Sequence, residues 1–163
     1  MQTLAQWLAG TSLSQGLQRA IWLIILLQTV HILAIAMVLS SVAMVELRIL
    51  GWTSAQSVPQ TARRFLSWVW MGLVVLAGTG VALVIAEPRR TLDNNPAFLL
   101  KMAMLAIAIA MTLAFQYSLA RNASLWEKSA SERKAIGVLA ILTFVIWLIV
   151  AMAGRWIAYV REG

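Results

Sequence analysis

Cysteine is absent from the 163 residues. That excludes disulfides, iron–sulfur clusters, thiolate metal sites and cysteine nucleophiles. Histidine occurs once, at position 31, so the chain has too few imidazoles and thiolates for a zinc site of its own. Charge is scarce as well. Asp, Glu, Lys and Arg make up 12% of the sequence, against about 25% in a typical soluble domain. A soluble enzyme of this size lacks the polar surface it needs, and a disordered chain would carry more charge and less apolar mass. No phosphate-binding glycine loop, zinc-protease motif or nucleophile elbow is present.

The sequence is instead 61% hydrophobic, with a mean hydropathy of +0.83. Its charges are bunched. Residues 20–45, 65–86, 102–120 and 135–154 hold no Asp, Glu, Lys or Arg. Each block is close to the roughly 20 residues that cross hydrocarbon. The chain therefore reads as an all-α polytopic membrane protein, a single domain with four transmembrane helices. The first block is too long for the apolar core of a signal peptide and is expected to remain as a membrane helix. Net charge is +7. The basic residues flank the spans, where they meet anionic headgroups, so the partner they imply is the bilayer and not nucleic acid.

Local signals set the helix boundaries. Leu4, Trp7 and Leu8 share one helical face, which suits a short interfacial helix over residues 2–10. Ser12 with Gln15 has capping-box spacing and predicts a first long helix over 13–50. Ser57 with Gln60 repeats that spacing, with Pro59 in the first turn, and predicts a second helix over 58–86. Asn95-Pro96 opens a third over 96–120. Ser129 with Glu132 introduces a fourth over 131–159. Residues 87–95 read as a polar loop. Small residues recur at Ala36, Ser40 and Ala43, at Gly72, Gly78 and Gly80, and at Ala106, Ala110 and Ala114, as close helix packing or self-association requires. Basic residues number seven around loops one and three and six on the other side. That balance leans towards both termini lying outside, in the periplasm if the membrane is a bacterial inner membrane.

A few polar residues inside the apolar blocks need explaining. His31 lies well within the first block, with Gln28 one turn before it. An imidazole in lipid requires partners for both nitrogens. It could ligate haem iron or another metal, relay protons, or bond a facing helix. Glu46 and Arg48 stand near the far end of the same helix and point apart. Glu46 is about 22 Å from His31 by helical rise, too far for direct pairing; the two charges are candidates for a proton path or for anchoring the helix end. Lys101 opens helix three and Arg155 lies in the last turns of helix four. An up-and-down bundle brings both to the end above His31. A haem b suits this polarity, with propionates at Lys101 and Arg155 and iron at His31. The eight methionines offer second axial ligands or soft copper donors. Trp68, Trp70, Trp126, Trp147, Trp156 and Tyr159 read as an aromatic belt.

The stretches His31-Ile-Leu, Glu46-Leu-Arg48-Ile-Leu-Gly51, Trp70-Met-Gly72, Asn95-Pro-Ala-Phe-Leu-Leu-Lys101 and Gly154-Arg-Trp-Ile-Ala-Tyr159 together resemble a group of small bacterial four-helix inner-membrane proteins of uncharacterised function. More distantly, a histidine in helix one and a lysine opening helix three are similar to the membrane-bound protoporphyrinogen oxidase family and to the copper-resistance D membrane domain. The first resemblance implies that His31 matches a haem-associated histidine and Lys101 the helix-three lysine. It also implies a haem-b protein linked to quinone or respiratory electron flow. Too little else of that pattern is present to carry over the oxidase activity. For copper, one histidine and no cysteine leave only methionines. The sequence therefore points first to a b-type haem protein for electron transfer, or the membrane subunit of a redox complex. A cofactor-free oligomeric channel, transporter or scaffold and a copper-handling permease are the alternatives.

Overall fold

The computed structural model describes residues 2–53, 56–92, 96–121 and 134–156. Its helices are α1 (Gln2–Ala9), α2 (Ser12–Arg19), α3 (Ile21–Ile49), α4 (Val58–Ala86), α5 (Pro88–Leu92), α6 (Pro96–Arg121) and α7 (Lys134–Trp156). No strand occurs among the described residues. Four of the helices, α3, α4, α6 and α7, contain stretches long and apolar enough to cross a membrane. The chain is a multi-pass membrane protein.

The largest difference from expectation is at Ala20. The sequence predicts one helix over 13–50, but the chain breaks at Ala20 (φ −95°, ψ 69°) and α3 starts afresh at Ile21. Length supplies the reason. The 29 residues of α3 already rise about 43 Å, beyond the roughly 30 Å of hydrocarbon. A straight continuation would carry Gln15, Gln18 and Arg19 far out from the bundle. The break instead turns α2 so that it packs against α3 and α4. Its cap is Thr11, whose side chain accepts from the Ser14 N–H at 3.3 Å, one residue earlier than the Ser12 cap that the spacing suggests.

The other boundaries follow their local chemistry. Gly51 (φ 83°) ends α3, with its N–H bonded to Arg48 O and that of Trp52 to Leu47 O. This pair of bonds is the Schellman arrangement, and it needs the left-handed conformation that glycine reaches without strain. Ser57 and Gln60 form the expected capping box at the start of α4, with bonds of 3.3 and 3.4 Å. The polar loop after α4 contains the short helix α5, against which α1 packs. Ala5, Pro88 and Leu92 are buried in that contact region while Trp7 and Leu4 point outward, as an interfacial helix requires. The Ser129 and Glu132 signal and the ends of the expected fourth helix lie outside the described residues.

The closest pairing in the bundle is α3 on α4. A methyl group added to Gly72 would sit 2.5 Å from Val38 Cγ2, so glycine is what allows the two backbones to approach. Val38, Val42, Val69, Ala108 and Trp147 form one core cluster from all four spans. Trp147 is therefore a core residue, 3% exposed, rather than part of the aromatic belt. The remaining small-residue expectations divide. Ala43 is half-buried, whereas Ala36, Ser40, Ala106, Ala110 and Ala114 face outward and Gly78 has no neighbour in reach.

Candidate functional site

His31 sits on α3 ten residues after its start, about 15 Å along the helix, and is half-buried. Its partner comes from the facing helix. The imidazole Nδ1 lies 2.7 Å from Thr79 Oγ1 on α4. The Thr79 hydroxyl has one proton, and its oxygen is also 2.7 Å from Val75 O, one turn back on its own helix. A hydroxyl that donates to the i−4 carbonyl keeps only lone pairs for a second partner. The ring nitrogen is therefore the donor: Nδ1 carries the proton, and the Nε2 lone pair is left uncommitted. Such an N–H bond on one nitrogen orients an imidazole whose other nitrogen ligates a metal. Gly80 faces the ring: a Cβ there would stand 3.7 Å from His31 Cε1, an ordinary contact.

The sequence assigned Gln28 as the polar neighbour of His31. Gln28 is exposed on α3 and makes no bond to the imidazole; Thr79 fills that role. The only sequence signal for it was Gly78-Thr79-Gly80, a hydroxyl between two glycines in an otherwise apolar span.

Lys101 is brought to the same region. It is half-buried on α6, and its charge is close enough to act on His31 electrostatically. Its side chain lies along α7: a Cβ on Gly154 would meet Lys101 Nζ at 3.4 Å and Cε at 3.5 Å. Gly154 is the residue before Arg155, so α6 and α7 place Lys101 at the turn that carries Arg155. The Arg155 side chain lies outside the described residues. Lys101 is thus within electrostatic reach of His31, and Gln28 makes no bond to it.

Glu46 and Arg48 belong elsewhere. Arg48 donates from Nε to Gln56 O and from Nη1 to Thr53 O at 2.8 Å, fastening the chain between α3 and α4. Glu46 is 9% exposed and its Oε2 has no hydrogen-bond partner. The two charges do not pair, as their spacing requires. A helix-end anchor describes Arg48; Glu46 turns inward instead of reaching for headgroups.

For metals, no group of three or more His, Cys, Asp or Glu side chains forms a cluster among the described residues. His31 is the single histidine of the sequence. Met44, Met71, Met102 and Met152 are exposed on α3, α4, α6 and α7 respectively, and Met37, Met104 and Met111 are half-buried.

No curated protein and no solved structure matches the chain. A family model matches residues 16–160, and therefore covers all four spans and the His31 region. The chain belongs to that family, the family of unknown function DUF6644.

Proposed function

We propose that the protein binds b-type haem in a bacterial inner membrane, either to transfer electrons itself or as the membrane subunit of a redox complex. The observation that carries this reading is the 2.7 Å contact of His31 Nδ1 with Thr79 Oγ1, whose own proton has Val75 O as acceptor; with Nδ1 as the donor to Thr79, Nε2 is the ligand atom. Lys101 supplies a cation at the same end of the bundle, with Arg155 next to the glycine it touches, for the acidic edge of the macrocycle. The residues fit the group. Bound there, haem would supply one-electron exchange, and a quinone or a membrane redox partner is the expected acceptor. A further protein ligand to the iron, if one is used, would come from a methionine or from a second copy of the chain.

A second reading also has an observation in its favour. The His31–Thr79 bond joins two helices, and a buried imidazole can serve packing alone. The protein would then be a cofactor-free oligomeric channel, transporter or scaffold. Haem content separates the two. Protein purified in mild detergent from haem-replete cells is assayed for haem per chain, alongside His31→Ala. Near-stoichiometric haem that the variant loses supports the first reading, and a colourless, monodisperse wild type supports the second.

A further inference from the structure

Glu46 is the only acidic residue within the four spans. It is more than nine-tenths buried, with Oε2 unpartnered. The side chain borders a cavity of about 260 Å³ between α3, α4, α6 and α7, together with Leu66, Thr112, Ala114, Phe115 and Thr143. None of the other lining residues is charged. An ionised carboxyl left unpaired in so apolar a place is costly, so it demands either a proton or a cationic partner.

The hydroxyls decide what kind of partner fits. Thr112 Oγ1 donates to Ala108 O at 2.8 Å, and Thr143 Oγ1 donates to Leu139 O at 2.9 Å. Both protons are spent within their own helices, so each hydroxyl offers the cavity a lone pair. With the unpartnered Glu46 Oε2, and with Ser118 as the remaining polar side chain of the wall, the cavity presents two hydroxyl lone pairs, and a carboxyl that lacks a cation, on an apolar surface. A carboxylate or phosphate head would find no cation there and would face the Glu46 carboxyl and both threonine lone pairs. An ammonium matches it, with several N–H donors and one positive charge. The volume lies just below the roughly 300–1,000 Å³ of sites that hold drug-sized ligands, so the body must be compact.

We propose that the cavity bordered by Glu46, Thr112 and Thr143 is a binding site for a compact apolar amine, its ammonium head paired with the Glu46 carboxylate. The proposal does not depend on the haem reading: Glu46 and His31 are about 22 Å apart along α3.

Adamantylammonium is the probe, titrated calorimetrically into the full chain in detergent micelles with empty micelles as the blank. Adamantanecarboxylate is its charge-reversed counterpart. The expected result is saturable binding of the ammonium at one site per chain and none of the carboxylate. Glu46→Gln keeps the shape of the side chain and should bind at least about tenfold more weakly, a change of about 1.4 kcal/mol or more. Ala114→Leu blocks the exposed mouth without touching the carboxyl and should weaken binding to a similar degree. Met152→Leu, on the outer face of α7, should leave it unchanged. Circular dichroism and gel filtration establish that each variant is folded. The proposal is overturned if the wild type takes up no more ammonium than empty micelles, if Glu46→Gln keeps wild-type affinity, or if the carboxylate binds as well.

Discussion

His31 on α3 and Thr79 on α4, 48 positions apart in sequence, are joined by a 2.7 Å bond in which the imidazole Nδ1 donates to a hydroxyl that itself donates to Val75 O at 2.7 Å. Three atoms in a row thus set the ring's tautomer and its rotation. Thr79→Val removes the acceptor and keeps the shape. If Nε2 holds haem iron, this change should weaken haem retention by about tenfold or more, in line with the loss of other groups that orient metal ligands. Thr79→Ser should largely restore it. Haem occupancy after dialysis against apomyoglobin is the readout. A wild-type occupancy in Thr79→Val would separate the bond from any ligand role.

Gly154 and Lys101 give a steric test of the other half of the site. The Lys101 ammonium lies against α7 where glycine leaves room, with Nζ 3.4 Å from the position of a Cβ. Gly154→Ala is expected to be tolerated. Gly154→Leu displaces the lysine and should lower affinity for an anionic porphyrin about as much as Lys101→Gln does, a loss near 1 kcal/mol. Titration of both variants with haem reads it directly. Equal affinity in wild type and Lys101→Gln would remove the lysine from the site.

Packing of α3 on α4 depends on Gly72. A Cβ 2.5 Å from Val38 Cγ2 cannot be accommodated without a shift, so Gly72→Ala should cost about 1–3 kcal/mol of stability. Val38→Ala makes room and should return much of that loss in the double variant, since the two sites are in contact. Unfolding in mixed micelles measures all three.

Arg48 holds two backbone carbonyls of the chain between α3 and α4. Arg48→Met keeps the apolar stem and removes both bonds. It should lower stability by about 1–2 kcal/mol and speed proteolysis within residues 50–57. Haem content should not change. A loss of haem with unchanged stability would assign Arg48 to the site instead.

Much of the framework could be read from the sequence because its signals are local. Uncharged blocks marked the spans, and Ser57, Pro59 and Gln60 marked the start of α4. What could not be read depends on which side of each helix faces lipid. In a soluble bundle, polar residues mark the outer face. Here both faces are apolar, so Ala108 in the core and Ala106 and Ala110 on the surface look alike in sequence. The break at Ala20 was hidden for a related reason: the helix signal continues through it, and only the length of α3 forces the turn. Lys101 could be placed near His31 from bundle topology alone. Thr79 could not, because a threonine in a span can satisfy its hydroxyl on its own helix and carries no mark of a distant partner. Nor could the Glu46 cavity, whose wall is assembled from residues of four different helices.

The central claim is that His31 Nε2 is a haem ligand. Its most direct test is a dithionite-reduced minus oxidised absorption spectrum of the purified protein in detergent, recorded beside His31→Ala. The account predicts Soret and alpha bands of a b-type haem in the wild type and their loss in a variant that remains helical and monodisperse. A folded wild type from haem-replete cells without those bands, or a variant that keeps them unchanged, would contradict it.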